Sequence, residues 1–210
     1  MDKLYKKALN LEYFTVAYNV LEAVASIVFG GIASSIALIG FGLDSIVESL
    51  SGLVMVWRLR KHGEISEEEE ERVEKRAMRF VAVTFFALGA YVLVESARKL
   101  ISRDVPDPSL PGIVIAILSL IVMPLLARAK IRLGGRIGSK ALVADAKETL
   151  ACAFLSVALL LGLGANYLFG FWQADPLVGL IIVAFLVREG AEVWEEAGEE
   201  ECEECKGNHR

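Results

Sequence analysis

Read for its hydrophobic and polar positions, the chain is a series of long apolar runs separated by short charged blocks. The runs lie near 12–34, 37–57, 78–97, 111–128, 141–163 and 174–190. Each approaches the roughly 20 apolar residues that cover a hydrocarbon core about 30 Å thick, so each predicts a membrane-crossing helix. A soluble helix or strand would instead interleave polar and apolar positions at its own period. Six such runs in 210 residues predict an all-α membrane protein, a six-transmembrane-helix bundle over 1–190, followed by an acidic, flexible cytoplasmic tail over 191–210. The breaks between runs fit this pattern. Gly30-Gly31 and Ser34-Ser35 leave room only for a tight hairpin, and Pro106, Pro108 and Pro111 mark a later connector. The first run has no small-residue cleavage pattern and reads as a retained span.

Composition agrees: 55% of residues are hydrophobic and the mean hydropathy is +0.50. The acidic run Glu67 to Glu71 meets Arg72, Lys75, Arg76 and Arg79 at helical spacing, which reads as a solvated helix laced with ion pairs. Basic residues set the orientation. Of the 22 lysines and arginines, 18 fall on the side of the amino end, the second and fourth connectors and the tail. Only Arg98, Lys99 and Arg103 fall on the other side, with Lys147 left inside a span. Both termini are therefore expected to be cytoplasmic, in the cell membrane. Three cysteines, one of them Cys152 inside an apolar run, do not suggest a disulfide framework. The chain shows no nucleophilic triad, phosphate loop or nucleic-acid signature, so neither an enzyme, a prosthetic group nor a nucleic-acid partner is expected.

An internal repeat carries the candidate chemistry. Ser35-Ile36-Ala37-Leu38 is followed after five residues by Asp44 and then by Glu48. Ser139-Lys140-Ala141-Leu142 is followed at the same offsets by Glu148 and Cys152. The two copies open the second and fifth spans, which makes those spans structurally equivalent. Residues four apart share a helix face, so Asp44 pairs with Glu48 and Glu148 with Cys152, with Asp145 on the latter face. Carboxylates at membrane depth cost about 2.5–3.5 kcal/mol each and ordinarily face a partner or a wet cavity. If the two faces meet, three carboxylates and a thiol form a tetrahedral donor set for a divalent ion. The alternative is that these acids pair with a lysine or cap a helix. Lys147 is the one basic side chain expected at that depth, and it lies off the Glu148–Cys152 face.

These residues resemble the cation diffusion facilitator, or cation efflux, family, whose members carry S-x-A-L-x-A-D-A-x-[H/D]-x-x-x-D in the second and fifth of six spans. Ser139, Ala141, Leu142, Ala144, Asp145 and Ala146 match that pattern, and Asp175-Pro176 before the last run is also similar. The resemblance covers residues 10–190, the transmembrane domain, without the C-terminal cytoplasmic domain usual in the family. It implies divalent transition-metal export, usually against protons, a homodimer, and metal ligands at Asp44, Glu48, Glu148 and Cys152, with Asp145 secondary. Glu148 stands where the family has His or Asp, Cys152 where it has Asp, and Gly40-Phe41-Gly42 where Ala-Asp-Ala is common.

Fully ionised, the four ligands would carry about −4 against the +2 of an ion, an excess hard to sustain at low dielectric. Metal binding is then expected to displace protons, since ligands coordinate in their deprotonated forms, and proton antiport follows. The thiolate favours zinc, cobalt or cadmium, and the oxygens favour manganese or iron. In the tail, Cys202, Cys205 and His209 form a C-x2-C-x3-H pattern that can chelate a soft ion, against the plainer reading of a solvated tail. Glu22 and Glu95 read as acids making helix–helix hydrogen bonds, with a proton relay as the alternative. A second functional class, a metal-binding membrane sensor or accessory subunit that does not transport, is open on the same residues.

Overall fold

The computed structural model describes residues 2–61 and 67–207. They form six helices: α1 (Asp2–Ile32), α2 (Ile36–Lys61), α3 (Glu67–Ser102), α4 (Leu110–Ile137), α5 (Lys140–Phe169) and α6 (Ala174–Gly207). No strand occurs among the described residues. The helices outrun the apolar runs because nothing in the sequence stops them at the edge of hydrophobicity. They end instead at local devices. α4 starts on the Ser109 side chain, which accepts from Gly112 N–H, and stops at Gly138 in the left-handed conformation (φ 75°). α5 starts on Ser139 and stops at Gly170 (φ 64°).

Chain order makes the six helices alternate in direction. α1 packs mainly on α2, α3 on α6, and α4 on α5, while α2 also touches α3, α5 and α6. α2 is thus the central helix: 61% of its most apolar stretch is buried, against 33–44% for the other four apolar helices. At Gly42 a Cβ would meet Ile27 Cγ1 and Ser26 Cβ at 2.9 Å, so glycine is what lets α1 lie flat against α2 there. This accounts physically for Gly42 in the first copy of the repeat; at Gly40 a Cβ would meet Val92 at an ordinary 3.4 Å.

The outer surface is apolar, and the buried polar and charged groups are gathered inside, alongside an apolar core. Phe14, Leu21, Val24, Ile32, Leu125, Phe154, Leu161 and Leu168 are exposed, whereas Glu12, Asn19, Glu22, Asp44, Glu48, Lys130 and Asp145 are buried. Water would penalise that distribution, and hydrocarbon favours it. Five helices, α1 to α5, are long and apolar enough to cross a membrane. The sixth expected span, 174–190, is helical and packs against α3, but Asp175, Arg188 and Glu189 punctuate it and it falls outside that set. The segment expected as a flexible tail continues α6 as far as Gly207. The side chains of Cys202, Cys205, His209 and the Glu67 to Glu71 run lie outside the described residues.

Candidate metal site

The serine of each repeat copy is a helix cap. Ser35 Oγ accepts from Leu38 N–H at 3.1 Å, and Ser139 Oγ accepts from Leu142 N–H at 3.3 Å. S-x-A-L is therefore an N-cap signature in both copies, and it sets the depth of the acids carried further along each helix. Ser35 is itself anchored by Asp175, which takes its hydroxyl on one oxygen and the Ile36 N–H at 2.9 Å on the other. The α6 carboxylate thus supports the start of α2.

The two helices run antiparallel: Ser51 of α2 donates to Glu148 Oε2 of α5 at 2.8 Å, while Asp44, nearer the start of α2, lies beside Cys152, further along α5. Equal offsets from two caps at opposite ends bring the ligand pairs to the same middle level. The equivalence of the two spans is an inverted one.

At that level Asp44, Glu48 and Glu148 line one small cleft of about 10 Å³, together with Phe85, Phe185 and Glu189. Cys152, 2% exposed, lies beside Asp44 and Glu48. The structure therefore brings three of the four expected ligands to one cleft and sets the thiol against it. They are not drawn into a closed cage: among the described residues no three acidic, thiol or imidazole side chains stand close enough to hold an ion. Carboxylates facing one another repel across a low-dielectric gap, and a cation is what would draw them in. Toward the Lys61 end of the bundle lies a second, larger cavity of about 110 Å³, open to the outside, with Arg58, Met78 and Val193 among its lining residues. Asp145 and Glu148 line it too, so Glu148 borders both spaces.

Two expectations are corrected. Lys147 is exposed, and the lysine at depth is Lys130, 0% exposed, which sequence reading places in a connector. α4 continues through Pro124 and ends only at Gly138, which carries Lys130 inward. Its Nζ lies 2.5 Å from Asp145 Oδ2, 3.2 Å from Glu12 Oε2 and 3.2 Å from Thr149 Oγ1. Asp145 is thus engaged with a lysine on one oxygen, and no hydrogen bond of good geometry reaches its Oδ1 among the described residues. Glu22 does bond between helices, accepting from Ser45 Oγ of α2 at 3.0 Å. Glu95 pairs with Arg98 on its own helix.

Sequence reading also missed the inner face of α1. Glu12, Thr15, Asn19, Glu22 and Ser26 recur at spacings of three and four, and all are buried. That polar stripe inside an apolar run was a readable signal, since it marks the face turned from lipid.

A bundle apolar outside, acidic within and opened toward one end defines a helical membrane protein built around an internal polar site. Residues 13–200 match the cation efflux transmembrane domain, and the chain belongs to the cation efflux family. It is 25% identical over 186 residues to transmembrane protein 163 of Xenopus laevis, covering 88% of this chain and 65% of that protein. It is 24% identical over 178 residues to an uncharacterized transporter of Methanocaldococcus jannaschii, covering 83% and 62%. The magnetosome protein MamB of a Magnetospira strain is 24% identical over 179 residues, covering 83% and 61%. The chain thus spans somewhat under two thirds of the length of these relatives.

Proposed function

We propose that this chain moves divalent transition-metal cations across a membrane, exporting them from the cytoplasm in exchange for protons. The observation that carries the reading is the meeting of Asp44, Glu48 and Glu148 at one buried cleft with Cys152 beside it. Four anionic-capable groups held in a bilayer interior have no structural use that fewer would not serve, and a cation supplies the missing charge. Ion binding draws the two helices together and displaces protons from the ligands; rocking of the helices then changes the side to which the site opens. The cavity at the Lys61 end supports access from the side that basic residues mark as cytoplasmic. Zinc or a chemical neighbour suits a mixed oxygen–sulfur set. Membership of the cation efflux family supports metal as the cargo, and the homodimer common to such proteins is part of the proposal.

The test is metal uptake into proteoliposomes with and without an imposed pH gradient. Wild-type protein is expected to load zinc at a rate that follows the gradient, and Asp44→Ala to load none. Flux indifferent to the gradient would remove the proton coupling. Zinc binding by calorimetry without any flux would make the chain a sensor or accessory subunit instead.

A further inference from the structure

The buried polar groups do not stop at the cleft. On the side of Glu48 away from the 110 Å³ cavity, α1 presents Asn19, Glu22 and Ser26, at 0%, 5% and 0% exposure. α1 and α2 run antiparallel from their hairpin. Glu12 therefore lies near Gly52, Glu22 near Ser45 and Ser26 near Gly42, so this stripe climbs from the ligand level toward the hairpin end. Among the described residues no hydrogen bond of good geometry reaches Asn19, Glu22 Oε1, Ser26 Oγ or either carboxylate oxygen of Glu48, although Asn19 and Thr149 stand beside Glu48 and Ser119 and Tyr18 beside Glu22. On the α4 side Ser119 stands beside Glu22, and its Oγ accepts from Ser156 Oγ at 2.9 Å.

Unsatisfied buried polar atoms are rare in folded proteins because each costs of order 1–3 kcal/mol. A cluster of them on one face persists when a second state of the molecule satisfies it. Ordered water meets such a demand in part. Asn19 and Glu22 lie one turn apart on one face of α1, Ser45 Oγ reaches Glu22, and Glu48 stands beside both; two carboxyl groups, an amide oxygen and a hydroxyl have the composition of an oxygen-only cation site.

We infer that Glu22, with Asn19 and Ser45, forms a second cation station that receives the metal ion from Glu48 on the far side of the cluster from the cavity. This deepens the transport reading and rests on it. The first site holds a thiol, which binds soft ions tightly; the second offers oxygen alone, so an ion passed to it is held more weakly and leaves. Glu48, which lines the cleft and also stands beside Asn19, is the group common to the two. Gly42 matters here as well, because the close approach it permits is what brings the α1 stripe against α2.

The experiment compares full-length wild type, Glu22→Gln, Glu22→Asp and Glu22→Cys in proteoliposomes, with manganese and cadmium as alternative cargoes and with Kd read separately by calorimetry. Glu22→Gln keeps the bond to Ser45 and is expected to leave the Kd of the cleft site as in wild type while turnover falls by about tenfold or more, a loss in kcat without one in KM. Glu22→Asp should restore most of that turnover. Glu22→Cys places a thiolate at the station and should slow cadmium about tenfold more than manganese. A purely structural role for Glu22 would move both metals and the binding constant together, and that result overturns the inference. So does a Glu22→Gln protein that turns over at the wild-type rate. A wild type that loads no metal rejects the transport reading itself, and the station with it; a transporting wild type matched by all three variants rejects the station alone.

Discussion

Lys130 offers the sharpest test of how the interior is held. Its ammonium is fully buried between Glu12 of α1 and Asp145 of α5, one cation shared by two carboxyl groups from two other helices. Lys130→Met keeps the length of the side chain and removes the charge, leaving two buried carboxyl groups facing each other without their cation. Removing one partner of a buried ion pair destabilises by about 3–5 kcal/mol, because the remaining charge stays desolvated and uncompensated. At 1.4 kcal/mol per decade this is roughly two to three and a half decades in the unfolding equilibrium. The triple variant Lys130→Met/Glu12→Gln/Asp145→Asn removes all three charges and is expected to return to within about 1–2 kcal/mol of wild type. The assay is reversible unfolding of the purified protein in mixed micelles by titrated SDS, followed by the fluorescence of Trp57, Trp172 and Trp194. A single variant that loses under about 1 kcal/mol would refute the reasoning, as would a triple variant no more stable than the single. Either would mean that the charges are hydrated or that the helices rearrange freely around them.

The same geometry sets two further outcomes. Cys152→Asp replaces the one soft donor at the cleft with a carboxylate, and the ratio of manganese to cadmium turnover should rise about tenfold; an unchanged ratio would take Cys152 out of the ligand set. Asp175→Ala strips the start of α2 of two charge-assisted bonds and should destabilise by about 2–3 kcal/mol, against about 1 kcal/mol for Ser35→Ala. Equal unfolding midpoints for the two variants would show that the α6 carboxylate adds nothing beyond the serine cap.

Much of the scaffold was legible in order along the chain. Runs of apolar residues and their breaks predict the helices, and the doubled S-x-A-L pattern predicts two equivalent helices carrying the ligands. The local effect of that pattern, capping, is also a property of neighbouring residues: Ser35 and Ser139 meet N–H groups only three residues on. The acids at fixed offsets from those caps are placed by helix geometry alone. For the same reason Asp44 and Glu48 were readable as one pair and Glu148 and Cys152 as another.

Other features depend on which helices touch, and no local rule supplies that. Lys130 looks like any basic residue beyond an apolar run until α4 is packed between α1 and α5, whereupon two carboxylates converge on it. That Asp145 shares one of its oxygens with this lysine is equally invisible until the helices pack. Glu22 becomes a neighbour of the site only because α1 closes on α2 at Gly42. By itself, then, the order of residues determined a helical membrane bundle and the level at which its acids lie, since hydrophobic length and capping act over a few residues. The tertiary structure alone decided which acids face a lysine, which face one another and which are left without partners, since charge pairing in a low dielectric is settled between segments far apart in the chain.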